Sequence, residues 1–170
     1  MPTKNICSQV WQRMVVDVAG NVTPCPFRQW THTCGNLRTE PWSAVWNSEA
    51  YKEIREIMAK EGRYSCCPDC TSPAKHAHSM LFQKKEFMGS DSLYANNMRL
   101  LQSEFSQRKS TLRALCTMLT ISPSGKCNLR CAHCSQKDDP FYSNCIGENA
   151  LSAVQDLALT SPIFLYQVKS

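Results

Sequence analysis

Leu119-Thr120-Ile121-Ser122-Pro123-Ser124-Gly125-Lys126-Cys127-Asn128-Leu129-Arg130-Cys131-Ala132-His133-Cys134 passes from an apolar stretch into turn-forming residues and then into three cysteines. Leu115 to Ile121 is short and apolar, and Ser122-Pro123-Ser124-Gly125 bounds it, which reads as a buried strand ending in a loop. After the cysteines, Gly147 precedes a helical face of Leu151, Val154, Leu157 and Ala158, and Pro162 bounds a second apolar run, Ile163 to Val168. Strand, cysteine loop, helix and strand in that order open a parallel unit, so the fold class expected is α/β.

Cysteine usage narrows the chemistry. The chain has 11 cysteines in 170 residues, and they cluster as Cys66-Cys67-Cys70 and Cys127-Cys131-Cys134. A secreted disulfide scaffold would be shorter, with an even count and a secretory signal. The N-terminus Met-Pro-Thr-Lys-Asn-Ile-Cys lacks the apolar core of such a signal, so a cytoplasmic location is expected. Tight groups of thiols suit one soft metal centre, either an iron–sulfur cluster or zinc. Three thiolates on one loop can hold three irons of a cubane and leave the fourth open to a substrate or cofactor.

Other classes are disfavoured. Hydrophobic residues make up 42% and charged residues 19%, a balance that folds. A net charge of +5, spread along the chain, describes a solvated surface, and no nucleic-acid partner is expected. No apolar run reaches the ~18 residues of a membrane span, so no membrane association is expected.

The N-terminal third reads as hairpin then helix. Arg13 to Val18 is strand-like, Ala19-Gly20-Asn21 carries turn chemistry, and Val22-Thr23 begins the return, with Cys25 at its end. Gly35-Asn36 marks another turn. A single helix is expected next, capped by Thr39, with Pro41 in its first turn, Trp42, Val45, Trp46, Ile54, Ile57 and Met58 on a packing face, and Gly62 at its end. From Thr71 to about Leu115 polar and basic residues dominate, including Lys84, Lys85, Arg108 and Lys109; a linker with one helix, around Leu93 to Gln107, is expected, with His76 and His78 as solvated linker histidines.

The segment Cys127-Asn128-Leu129-Arg130-Cys131-Ala132-His133-Cys134 resembles the Cys-x-x-x-Cys-x-x-Cys signature of radical S-adenosylmethionine (radical SAM) enzymes, and Leu119 to Lys126 is similar to their first barrel strand and its loop. The resemblance implies a 4Fe-4S cluster on Cys127, Cys131 and Cys134, with S-adenosyl-L-methionine on the open iron. It implies reductive cleavage to a 5′-deoxyadenosyl radical that abstracts hydrogen from a substrate, and an electron donor such as flavodoxin or ferredoxin. The residue before the third cysteine, usually aromatic and packed near the adenine, is His133 here.

A second resemblance covers the N-terminus. Cys7, Gly20 and Cys25 stand as Cys-x12-Gly-x4-Cys, followed by Cys34-Gly35-Asn36-Leu37, by Pro41-Trp42-Ser43-Ala44-Val45-Trp46-Asn47-Ser48 and by Cys67-Pro68-Asp69-Cys70. This order is similar to the auxiliary-cluster region called SPASM or, in its shorter form, twitch. The resemblance implies Cys7, Cys25, Cys67 and Cys70 as ligands of one auxiliary 4Fe-4S cluster, with Cys66 as the alternative to Cys67. The full pattern has two further cysteines where this chain has His76 and Met80, so the one-cluster twitch form fits better. Cys34, Cys116 and Cys145 are left as buried thiols.

The organisation expected is thus a SPASM/twitch-like region over 1–75, a basic linker over 76–111 and the N-terminal part of a radical SAM core over 112–170. That order inverts the usual one, and the Gly-Gly-Glu motif and later strands of the barrel do not appear before Lys169-Ser170. A fragment across two tandem modules is expected, with little catalysis by these residues alone. The competing expectations are an iron–sulfur electron-transfer or scaffold module without radical chemistry and a zinc-binding interaction module. No substrate follows from the residues.

Overall fold

The computed structural model describes residues 6–26, 33–62, 67, 92–126 and 145–161, and the backbone of 165–168. Among the described residues, a five-stranded sheet organises the molecule: β1 (Arg13–Val16), β2 (Asn21–Thr23), β3 (Gly35–Asn36), β4 (Met118–Ile121) and β5 (Leu165–Val168), in spatial order β3-β2-β1-β4-β5. The helices are α1 (Gln9–Gln12), α2 (Trp42–Trp46), α3 (Glu49–Glu61), α4 (Leu93–Ser106) and α5 (Glu148–Thr160). The fold is mixed α/β, as expected.

Local chemistry makes the hairpin. Asp17 turns the chain after β1, its carboxylate accepting from Ala19 N at 2.8 Å, Asn21 N at 2.9 Å and Asn21 Nδ2 at 3.0 Å. Gly20 follows at φ 81°, a left-handed conformation that glycine adopts without steric cost. β1 and β2 then pair antiparallel, Val15 against Thr23 and Val16 against Val22. Asn36 staples β3 to this turn by donating from Nδ2 to Ala19 O and to Asn21 Oδ1.

The helical stretch after Pro41 differs from expectation in two respects. Thr39 does not cap it. Its N–H and hydroxyl both donate to Asn36 O, which spends it on the preceding turn. The helix is also broken into α2 and α3 at Asn47-Ser48. Asn47 reaches across to the 112 strap, accepting from Leu112 N and donating to Leu112 O, while Ser48 Oγ caps α3 through Tyr51 N. Gly62 ends α3 at φ 78°, its N–H donating to Met58 O at 2.9 Å, as a left-handed C-cap does.

β4 and β5 lie side by side in parallel, Met118 against Leu165 through Ile121 against Val168, with α5 in the chain between them. That is the strand–loop–helix–strand unit of the sequence. β4 also pairs in parallel with β1, Arg13 against Met118 through Val16 against Ile121. All four β4 residues are buried, as a strand flanked on both sides requires.

One core serves both ends of the chain: Trp11, Met14 and Trp46 pack in the same cluster as Leu101, Leu119 and Leu157. The stretch read as a linker contributes to it. α4, capped by Ser92 Oγ accepting from Ala95 N, buries Met98, Leu101 and Phe105, and Phe105 meets Trp11 edge-to-face at 5.1 Å. The Trp-bearing face of α2 and α3 packs as expected, with Trp42, Val45, Trp46, Ile54 and Met58 buried. No helix among the described residues is long and apolar enough to cross a membrane.

Candidate metal centre

The N-terminal cysteine set is built around the start of β1. Cys7 immediately precedes Ser8, the N-cap of α1, and α1 runs without a break into β1, so the position of Cys7 is tied to that of the strand. Cys25 lies two residues beyond β2. β2 pairs with β1 through Val15–Thr23 and Val16–Val22, and the chain reaches Cys25 on leaving that hairpin. Both cysteines are half-buried, as is Cys67, which follows α3 and Gly62.

Arg13, the first residue of β1, is a buried cation on which the hairpin cysteines act electrostatically. Its side chain is 5% exposed, and burial lowers its pKa; the thiols of Cys25, Cys116 and Cys7 act in the opposite direction. Its hydrogen bonds are weak: Nη1 to Thr120 Oγ1 at 3.4 Å and Nη2 to Met118 Sδ at 3.9 Å. Nε has no hydrogen-bond partner among the described residues. Sequence reasoning passed over Arg13 as one member of a strand; a lone arginine opening the apolar run Met14-Val15-Val16 was the available signal.

Cys66 and Cys70 lie outside the described residues, as do Cys127, Cys131, His133 and Cys134. Among the described residues, no three or more His, Cys, Asp or Glu side chains converge at metal-binding distance. What the structure does describe is the base of the second cysteine loop. Ser124 and Cys145 form an isolated antiparallel bridge, Ile146 N donates to Pro123 O at 2.8 Å, and Ser124 Oγ lies 3.5 Å from Cys145 Sγ. The loop carrying Cys127, Cys131 and Cys134 is therefore pinched shut at the C-terminal end of β4. In parallel α/β sheets, that end of the strands is where ligands bind.

The three remaining cysteines divide. Cys34 and Cys116 are buried as expected, and burial pushes each thiol up to about 12. Cys116 Sγ sits 3.4 Å from Gln12 O and 3.2 Å from Met118 O, a setting for a protonated thiol that donates. Cys145 departs from expectation: it is exposed, because it forms the outer partner of the Ser124 bridge and not part of the core. At pH 8 iodoacetamide should therefore label Cys145 at least about a hundredfold faster than Cys34 or Cys116, which need unfolding to become thiolates. Peptide mass spectrometry against time reads this; equal rates at Cys116 and Cys145 would contradict the burial.

The donor set fits an iron–sulfur group. Cys7, Cys25 and Cys67 offer thiols, the ligands such clusters take, and the hairpin pair has a buried cation of the sign that bound thiolates attract. A separate open cleft of about 340 Å³ lies between the 37–42 turn and α5, lined by Arg38, Glu40 and Ser152, with Trp42 Nε1 donating to Asp156 Oδ2 at 2.7 Å. It contains no cysteine.

Residues 7–71 match the family model of SPASM, an iron-sulfur cluster-binding domain. The matched stretch runs from Cys7 through Cys25 and Cys67 to the residue after Cys70, and iron–sulfur binding is the property the match assigns to it. Neither the curated proteins nor the solved structures contain a match to the chain.

Proposed function

We propose that this protein holds two 4Fe-4S clusters and belongs to radical S-adenosylmethionine chemistry. One cluster is held by Cys7, Cys25, Cys67 and Cys70, the other by Cys127, Cys131 and Cys134 with S-adenosyl-L-methionine at the open iron beside His133. The observation that carries the reading is the SPASM match over 7–71, which spans the β1–β2 hairpin that Cys7 and Cys25 flank.

The chain's own residues supply placement and insulation. Asp17 and Gly20 set the hairpin register, and that register positions Cys25. α1 couples Cys7 to β1. The Ser124–Cys145 bridge fixes both feet of the second loop on the sheet. When bound there, a cluster supplies the electron for cleaving the sulfonium of S-adenosylmethionine.

The parallel β1–β4 pairing has a consequence for electron traffic. Cys7 precedes the N-terminal end of β1, whereas the second loop leaves the C-terminal end of β4. Four residues of strand separate those ends, about 13 Å at ~3.3 Å per residue. The chain segments leading to the two sets meet the sheet at opposite ends of its strands, an arrangement that would suit one cluster as relay to the other.

Anaerobic reconstitution of the full chain with iron and sulfide tests the reading. The parent should bind about four iron and four sulfide per cluster at two clusters. Cys7→Ser with Cys25→Ser should lose about half of each, and so should the triple replacement of Cys127, Cys131 and Cys134 by serine. Added S-adenosylmethionine should perturb the reduced electron paramagnetic resonance spectrum only where the second set is intact. Zinc without sulfide, or full iron in the Cys7/Cys25 variant, would overturn the assignment.

A further inference from the structure

Two arginines are buried among the described residues, and they are held in opposite ways. Arg55 is fully buried and saturated: Nε donates to Val10 O at 3.0 Å, Nη1 to Ser110 O at 2.8 Å and to Asn47 Oδ1 at 3.2 Å, and Nη2 to Trp46 O at 2.9 Å. Its guanidinium also lies over the rings of Trp46 and Tyr51. Arg13 has none of this. Its shortest hydrogen bond is 3.4 Å, its second is to a thioether sulfur, and its Nε is without a partner among the described residues. Burying a cation in this state is costly, and such a charge calls for a counter-charge.

The surroundings show what that counter-charge is. Among the described residues the one ion pair is Lys52–Glu49 on the exposed face of α3, so no described carboxylate pairs with Arg13. The side chains that act on its charge are the thiols of Cys25, Cys116 and Cys7. Cys116 sits against two backbone carbonyl oxygens and stays a neutral thiol. That leaves Cys25 and Cys7, which become negative when they ligate iron. Among the described residues, Arg13 thus gains an anionic partner only when the hairpin cysteines ligate metal.

Resting on the cluster assignment above, we infer that Arg13 is the fixed counter-cation of the Cys7–Cys25 site and raises the reduction potential of the cluster held there. The physical reason is simple. One-electron reduction adds one negative charge to a group already carrying thiolates, and a desolvated cation close by favours the reduced form over the oxidised one. Thr120 Oγ1 and Met118 Sδ aim the guanidinium from β4, so Arg13 also ties this potential to the strand that leads into the second cysteine loop. No proton is exchanged in this role, and the electron comes from an external low-potential one-electron donor, dithionite in the experiment.

The test uses the full chain with Cys127, Cys131 and Cys134 replaced by alanine, so that a single cluster is read. Arg13→Met, Arg13→Gln and Arg13→Lys are reconstituted alongside this parent, their iron and sulfide are counted, and each is titrated with dithionite under visible and electron paramagnetic resonance detection. The neutral variants should reduce with an equilibrium constant at least tenfold lower than the parent, a shift of about 59 mV for one electron. Arg13→Lys, which keeps the charge, should stay within about threefold. Neutral variants titrating with the parent would overturn the role, as would a lysine variant shifted as far as methionine, since packing would then be the cause. Should methionine disturb folding, the polar glutamine variant carries the same expectation. A parent that binds no iron and sulfide defeats the cluster assignment itself, an outcome visible before any variant is compared.

Discussion

Arg55→Ala should destabilise the fold by about 3–4 kcal/mol, read as a shift of the urea or thermal unfolding midpoint, the latter on the order of 10 °C lower. Two effects oppose each other. Burial lowers the arginine pKa to about 10, so the charged form is disfavoured by its surroundings, and removing it relieves that cost. Against this stand four hydrogen bonds to Val10 O, Ser110 O, Asn47 Oδ1 and Trp46 O, and two aromatic faces. Val10 O and Trp46 O are buried and lose their donor, and an unmade hydrogen bond to a buried group costs about 1–3 kcal/mol. The orphaned acceptors win. Those acceptors belong to α1, the 110 strap and the α2–α3 junction, so one side chain holds three segments of chain together. Arg55→Lys should recover little, because an ammonium cannot reproduce the planar fork. Stability within 1 kcal/mol of the parent for the alanine variant would refute this account.

Glu104→Ala should cost about 3 kcal/mol by the same measurement, through a different mechanism. The carboxylate is buried on α4 and accepts from Arg113 N at 2.9 Å and 3.1 Å and from Ala114 N at 3.0 Å. About two turns earlier, Asn97 pairs with both backbone groups of Leu115, accepting from its N–H at 2.7 Å and donating to its C=O at 3.0 Å. These two side chains substitute for a strand partner along residues 113–115, just before β4. Loss of Glu104 leaves two backbone N–H groups unsatisfied in the strap that delivers β4 to β1. The expected signature is faster amide exchange at Arg113 and Ala114 together with the stability loss. A variant that loses stability while those amides stay protected would show that the carboxylate acts elsewhere.

Much of the fold was legible because its signals are local. Asp17, Gly20 and Asn21 specify a turn through bonds that span at most four residues, and Gly62 ends α3 by a conformation of its own backbone. The alternation and length of Leu115 to Ile121 and of Ile163 to Val168, with a helical face between them, place β4, α5 and β5 in order. The reading departed where a competing bond intervened, one local and one distant. Thr39 and the Asn47 break followed from bonds to Asn36 and to Leu112, the second across 65 residues of sequence. α4 was recognisable as a helix, but its polar neighbours concealed that Met98, Leu101 and Phe105 belong to the common core.

The candidate site divides along the same line. Cysteine spacing marked Cys66-Cys67-Cys70 and Cys127-Cys131-Cys134 directly, because ligation of one small metal centre favours short intervals, whereas Cys7 and Cys25 joined the expected ligand set through the resemblance to SPASM. Arg13 could be found only in three dimensions. Its weak anchors, Thr120 and Met118, are more than a hundred residues away and reach it through the parallel β1–β4 pairing. Its charge matters because it is desolvated, and burial is a property of everything packed around a residue. The sequence by itself determined where the cysteines cluster and which segments become strands and helices. The tertiary structure decided that the hairpin following Cys7 and the strand leading toward the second cysteine loop share one sheet, and that Arg13 is buried at the start of β1, because pairing and burial across a hundred residues arise only when the chain packs.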